Sequence, residues 1–259
     1  AIKCGIKTAL HESNSLPGVS VKMLAPKADL VMLGTEDAKK HLGECKKCVV
    51  TGNPLRNNIP IEEKSAARKR LGLPDCLTIL SAGGSQGASR LNEAVVQLLA
   101  YEQKKGNINH IHGYGKHGRD TFMQSLEDNG VDAGNPHFII KEYIDNMYTC
   151  MCASDLIITR AGAMTLTEIT AIGRASVLIP YPYAAENHQY YNALTLQNAN
   201  AGRIIDDKEL TGSVLIDTVN RLADDPELLR LMSENAAKLS KRDAAGIILR
   251  EITELMGIK

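Results

Sequence analysis

Tryptophan is absent from this chain, and phenylalanine occurs only 2 times in 259 residues. Proteins that hold single-stranded nucleic acid stack bases on aromatic rings, and little is available here for such platforms, although 8 tyrosines leave room for contacts to sugars. An excess of one charge is missing as well, since 30 Lys and Arg stand against 30 Asp and Glu. That balance argues against general nucleic-acid binding, which draws on a surplus of basic groups. No apolar run approaches the roughly 18 residues that a membrane-spanning helix requires. Of the 6 cysteines, only Cys45-Lys46-Lys47-Cys48 has the spacing of a metal or redox pair. No second pair follows to complete a zinc tetrahedron, so the pattern fits reduced thiols of a cytoplasmic protein without a metal centre. The G-x-G-x-x-G fingerprint and the Lys-Ser/Thr ending of a Walker A loop are both lacking, so neither a dinucleotide nor a nucleoside triphosphate is specifically signalled.

A hydrophobic content of 44% suffices for a core, and short apolar runs alternate with helical patterns, as in a parallel sheet covered by helices. Strands are expected up to His11, at Leu30 to Leu33, before Gly83, at Ile108 to His112, at Phe138 to Ile140, before Thr159, before Pro180 and near Arg203 to Ile205. Helices are expected from about Val19, near Glu36 to Leu42, over Glu62 to Leu71, Ser89 to Tyr101, Lys116 to Glu127 and Asp145 to Cys152, then over three C-terminal stretches ending at Met256. The chain turns around Val49 to Pro54, and Asn57-Asn58-Ile59-Pro60 reads as a linker. The fold class is therefore α/β.

Three loops carry the chemistry. The strand ending at Thr159 runs through Arg160-Ala161-Gly162 into a helix, where backbone N–H groups face an anion and Arg160 adds charge. Glu168, one turn on, would be repelled by phosphate and suits ribose hydroxyls; equally, Thr165 and Glu168 fit a capping box. Gly83-Gly84-Ser85-Gln86-Gly87 is a second strand-to-helix exit, whose neutral Ser85 and Gln86 suit diphosphate and sugar oxygens; such a turn also serves simply to pack a helix against a sheet. The third cluster, Glu186-Asn187-His188-Gln189, follows the strand before Pro180. It places His188 and Gln189 within reach of a hexose, or has Asn187 cap a helix with His188 exposed in its first turn.

The order G-G-S-Q-G-A, R-A-G-A-M-T-x-T-E and E-N-H-Q-Y-Y-N-A resembles the MurG family, the UDP-N-acetylglucosamine transferases of glycosyltransferase family 28. The likeness extends to Leu10-His11-Glu12-Ser13-Asn14 and to Gly52-Asn53-Pro54-Leu55-Arg56, and so covers nearly the whole chain. It implies a GT-B architecture: a complete Rossmann-like donor domain over 53–243, the end of a Rossmann-like acceptor domain over 1–52, and a C-terminal helix over 244–259 that crosses back to it. The family's G-G-T-G-G-H loop, with its candidate base, does not occur here. The chain begins at Ala1 without Met, and these features suggest a missing front portion.

The resemblance also implies roles. Glu168 would grip the ribose of UDP, and Ala163, Met164 and Thr165 the diphosphate, with Arg160 supporting their loop. Ile144 would read uracil through its backbone, Ser85 and Gln86 would touch the donor, and Arg56 would lie near the nucleotide. His188 and Gln189 would read GlcNAc hydroxyls, although many family members carry Gln where His188 stands. Glu12 and Asn14 would face the acceptor, lipid I (undecaprenyl-pyrophosphoryl-MurNAc-pentapeptide), whereas His11 fits a strand-end imidazole equally well. The implied reaction is an inverting transfer of GlcNAc to the C4 hydroxyl of MurNAc, with no obligatory cofactor, at the cytoplasmic side of the cell membrane. Three other readings share the donor motifs: a UDP-sugar diacylglycerol glycosyltransferase, a UDP-GlcNAc 2-epimerase, and a UDP-GlcNAc-binding module without turnover.

Overall fold

The computed structural model describes residues 1–56, 59 and 61–258. Asn57, Asn58 and Pro60 of the expected linker lie outside the described residues. The first unit holds β1 (Ala9–Glu12), α1 (Val19–Leu24), β2 (Leu30–Leu33), a 3-10 segment (Glu36–His41) and β3 (Cys48–Val50). The second runs through α2 (Lys64–Leu71), β4 (Leu77–Ala82), α3 (Ser89–Lys105), β5 (Ile108–Gly113), α4 (Phe122–Asp128), β6 (Phe138–Lys141), α5 (Met147–Ala153) and β7 (Leu156–Thr159). It continues with α6 (Ala163–Ile172), β8 (Ala175–Leu178), α7 (His188–Asn198), β9 (Gly202–Ile204), α8 (Gly212–Ala223), α9 (Pro226–Lys238) and α10 (Ala244–Met256).

Both sheets are parallel. The first is ordered β1-β2-β3 and the second β6-β5-β4-β7-β8-β9. Counted from β4, that second order is the doubly wound 3-2-1-4-5-6 arrangement. Alternate strand residues feed opposite faces, as a two-residue period demands. Ile79, Leu156, Ile158 and Val177 pack under α3, α8 and α9, whereas Leu80, Ile157 and Leu178 pack with residues of α5, α6 and α7. β2 and β7, buried on both faces, are apolar almost continuously, which is why they read as short unbroken runs.

Two expected elements differ. The stretch from Lys116 to Glu127 is not one helix: a 3-10 turn at Lys116–Gly118 is followed by α4, with Thr121 between them at a non-helical φ of −124°. β3 forms where only a turn was expected, and it is 3 residues long, paired in register with β2. At the other end of the chain, α10 reaches the first unit, where Lys47 Nζ lies 2.7 Å from Glu251 and 3.1 Å from Glu254. Leu249 and Met256 of that helix remain exposed.

Polar groups hold the second unit at two points. Asp155, just before β7, accepts from Lys64 Nζ and Arg68 Nη2, each at 2.6 Å, and from the Thr78 N–H at 2.9 Å, tying α2 to the sheet. Deeper, Ser81 Oγ lies 2.7 Å from both His110 Nε2 and His112 Nδ1, and His110 Nδ1 lies 2.7 Å from Glu102. All four side chains are buried. Burial, and then the neighbouring His110, hold the His112 imidazole well below its usual pKa.

Candidate active site

β4 and β7 are neighbours in the sheet, with Ala82 opposite Thr159 at their C-terminal ends, and the crossovers leave them in opposite directions. This is the topological switch point, where an open parallel sheet leaves a crevice for a ligand. The two glycine-rich exits singled out in the sequence therefore meet at one place. The β4 exit bends against the end of β5: the Lys116 N–H donates to Ser85 O at 3.2 Å and the His117 N–H to Gln86 O at 2.8 Å. Gly87, at φ +86°, and Gly115, at φ +70°, make the close approach possible, because a Cβ on Gly87 would stand 2.3 Å from Tyr114 O.

The β7 exit is fastened on three sides. Arg160 Nη1 donates to Asp207 at 2.6 Å and to the carbonyls of Ile179 and Pro180. Gln189 Oε1 accepts from the N–H groups of Ala161 and Tyr181 at 3.1 and 3.0 Å, and Asn192 Nδ2 donates to Ala161 O at 3.2 Å. α6 starts from Gly162, which has no side chain to cap it, so the N–H groups of Ala163, Met164 and Thr165 are left without intrahelical acceptors. The alternative capping box does not form, because Thr165 stands third inside the helix rather than before it. An uncapped helix N-terminus on a locked turn presents already oriented donors of the kind an anion accepts.

Beside it opens a cavity of about 450 Å³ lined by Arg56, Ser85, Ile144, Thr165 and Glu168, together with Tyr148. Five of the residues chosen from sequence are thus gathered from four separate segments. Ile144 is buried at the cavity floor against Gly113. Glu168 Oε1 accepts from the Tyr148 hydroxyl at 2.9 Å. Burial, followed by that hydrogen bond and the Glu168 charge, pushes the Tyr148 phenol above its usual pKa. At the rim, Glu142 is paired with Arg119 at 2.7 and 2.8 Å, which holds its carboxyl below the usual range.

The other chosen residues lie around this cavity without lining it. Gln86 is in the β4 exit, Arg160 is engaged as above, and Met164 is exposed on α6. Ala163 lines a second cavity of about 480 Å³ between the two units, with Ser13, Thr35, Asp37, Thr167 and Thr195. His188 opens α7, and its Nδ1 lies 2.9 Å from Ala185 O. Asn187 occupies the cap position, yet its side chain makes no cap bond; it and Glu186 have φ of 55° and 50°, a left-handed pair that turns the chain sharply into α7.

Glu12 and Asn14 lie at the β1 exit. Glu12 is buried, and its carboxylate accepts from Asn14 N and Nδ2 at 2.8 and 3.1 Å and from the Gly18 N–H at 2.9 Å, closing the loop on itself. Asn14 Oδ1 in turn accepts from Asn192 Nδ2 at 3.0 Å, and Asn192 Oδ1 accepts from the Ser15 N–H at 2.8 Å. One buried amide on α7 therefore bonds both the β1 exit and the β7 exit. Sequence reasoning passed over Asn192 and Tyr148. A signal existed for the first: residues 189, 192, 193 and 196 share the inner face of α7, and polar side chains there require partners.

The glycosyltransferase family 28 C-terminal domain matches residues 78–247. A protein of Desulforamulus reducens named UDP-N-acetylglucosamine-N-acetylmuramyl-(pentapeptide) pyrophosphoryl-undecaprenol N-acetylglucosamine transferase is 36% identical over 99% of this chain and 69% of its own length. A protein of the same name from Thermoanaerobacter sp. is 39% identical over 97% of this chain and 68% of its own length. Among solved structures, MurG of Acinetobacter baumannii superposes with a TM-score of 0.77 at 27% identity, over 97% of this chain and 69% of the other. The chain spans about two thirds of each of these relatives. Sequence, sheet order and the placement of the glycine-rich exits agree, and the chain belongs to the MurG transferases of glycosyltransferase family 28, with the GT-B architecture.

Proposed function

We propose that this chain serves an inverting glycosyltransferase that moves GlcNAc from UDP-GlcNAc to the C4 hydroxyl of MurNAc in lipid I, forming lipid II for peptidoglycan. The observation that carries the reading is the cavity at the switch point, where Arg56, Ser85, Ile144, Thr165 and Glu168 converge beside the uncapped start of α6. A uridine diphosphate fits that arrangement. The Ile144 segment takes the base, Glu168 the ribose, and the N–H groups of Ala163, Met164 and Thr165 the diphosphate, with Ser85, Gln86 and Arg56 around it. Gln189 holds the turn through its Oε1 and so leaves its amide NH2, beside His188, for sugar hydroxyls.

In the reaction the acceptor C4 hydroxyl attacks the anomeric carbon in line, and UDP leaves with its developing negative charge on the α6 N-terminus. A base must take the hydroxyl proton. Glu12 accepts three N–H donors within its own loop, so we assign it and Asn14 to shaping the acceptor side rather than to proton transfer. We place the unit boundary at 52/53 and assign 244–259 to a helix that clamps the donor half onto the acceptor half, consistent with the Lys47 ion pairs. Among the described residues no helix is long and apolar enough to cross a membrane. The lipid acceptor places the working enzyme peripherally at the cytoplasmic face.

Calorimetric titration with UDP-GlcNAc, UDP-glucose and UDP tests the donor site. Saturable binding that favours UDP-GlcNAc is expected, weakened ~10 to 100-fold by Glu168→Ala, the size of a lost hydrogen bond to a charged group. Unchanged affinity in that variant, with the fold intact, would refute the assignment of Glu168. Incubation with UDP-GlcNAc alone should yield no UDP-ManNAc, the product a 2-epimerase would release.

A further inference from the structure

We propose that Tyr148 is the positioning residue that sets this site's selectivity for a ribose bearing free 2′ and 3′ hydroxyls, by holding the Glu168 carboxylate in its ribose-binding pose. The inference rests on the donor-site reading above. Tyr148 lies on the first turn of α5 and Glu168 on the second turn of α6, and both line the 450 Å³ cavity. A hydroxyl-to-carboxylate bond of 2.9 Å joins them. The bond fills one lone pair of Oε1. It leaves the remaining Oε1 lone pair, and an Oε2 with no protein partner among the described residues, open to the cavity.

A vicinal diol donates two hydrogen bonds side by side, which a carboxylate accepts at less entropic cost when its plane is already fixed. Glu168 has three rotatable side-chain bonds and is half-buried, so without a tether it samples several orientations. Tyr148 supplies the tether from a rigid ring. The ring packs on the core beneath α5, and its raised pKa keeps the phenol protonated, hence a donor, throughout the neutral range. Arg56 lines the same cavity and offsets the negative charge there. The arrangement divides the labour: the α6 N-terminus binds the diphosphate whatever the sugar, and the Tyr148–Glu168 pair distinguishes the sugar that bears the base.

The test compares UDP with 2′,3′-dideoxy-UDP by calorimetry on the whole chain and on its Tyr148→Phe, Glu168→Ala and doubly substituted variants, with unfolding midpoints recorded for each. Tyr148→Phe keeps the ring and removes only the hydroxyl. The expected result is a ~10-fold loss of UDP affinity in Tyr148→Phe with the dideoxy nucleotide unaffected, and a double variant no weaker than Glu168→Ala alone. Three results would overturn the inference while leaving the donor site standing: UDP affinity unchanged in Tyr148→Phe, both nucleotides weakened equally, or UDP bound more tightly, which would make Tyr148 a competitor of the ribose. If the unsubstituted chain does not distinguish UDP from the dideoxy nucleotide, or Glu168→Ala leaves the distinction intact, the ribose assignment itself fails and the role of Tyr148 with it.

Discussion

Replacing Asn192 by Leu should loosen the junction between the two units more than any surface substitution there. The side chain is buried, and its amide makes three hydrogen bonds: from the Ser15 N–H at 2.8 Å, to Asn14 Oδ1 at 3.0 Å and to Ala161 O at 3.2 Å. Leucine keeps the branch at Cγ and is the larger side chain, so no cavity is created, but all three partners lose their bonds. Asn14 is half-exposed and can turn to water. Ser15 and Ala161 are buried, and an orphaned buried backbone group costs about 1–3 kcal/mol. Two such groups total roughly 2–6 kcal/mol, from which the added apolar burial of leucine recovers about 1 kcal/mol.

A net loss of about 1–5 kcal/mol corresponds to roughly 3–15 °C in a chain of this size. Asn192→Asp is the companion variant. It keeps an acceptor for the Ser15 N–H but turns a carboxylate towards Asn14 Oδ1 and Ala161 O, so its loss should be of similar size. Thermal unfolding followed by circular dichroism, with UDP titrated in parallel, measures both. Because two units are joined, a split transition with the smaller unit melting first would also agree with the reasoning. A midpoint within 1 °C or so of the unsubstituted chain for Asn192→Leu would refute it.

Three further outcomes are expected. The folded pKa of His112 is below its unfolded value, so the protonated form is penalised by folding; the stability this confers is fully present above pH ~6.5 and lost as pH falls below it, by at most about 1.4 kcal/mol per pH unit. Urea midpoints at pH 7.5, 6.5 and 5.5 should show that slope, and His112→Gln should flatten it. Asp155→Ala should cost about 3–5 kcal/mol in chemical denaturation, because among the described residues it leaves the buried Arg68 guanidinium with only the exposed Asp75 as an acidic partner. Gly87→Ala should abolish UDP binding at temperatures where the chain stays folded, since its Cβ would meet the Tyr114 carbonyl and displace the β4 exit; an unaltered titration would show that this exit does not touch the nucleotide.

What the sequence disclosed about this molecule followed from the range over which each interaction acts. β4, β7 and β8 are buried on both faces and are followed within three residues by glycine or proline, so composition over a few residues marks them. β3 is equally part of a parallel sheet, but its 3 residues follow Lys46 and Lys47 and only half-bury their side chains. A two-residue period cannot be read from so short a run. The loops were legible for a related reason, since glycine at a strand exit is a local requirement of the backbone.

The atoms that complete the site obey no local rule. Glu168 stands out because a carboxylate one turn inside a helix that follows a glycine turn calls for explanation, whereas its partner Tyr148 lies 20 residues earlier on another helix, where an aromatic is unremarkable. Asn14 and Asn192 are separated by 178 positions and meet only because two sheets face one another through their C-terminal ends. The sequence thus picked out residues that meet at the switch-point cavity but not the groups that hold them rigid. That rigidity is specified by pairs of polar side chains brought together only by the fold, and each such pair is at least partly buried, at a cost that a purely structural sheet would have no reason to bear. Polar residues on the inner face of an amphipathic helix, as Gln189 and Asn192 are on α7, are therefore where a sequence of this class most directly marks the supports of its site.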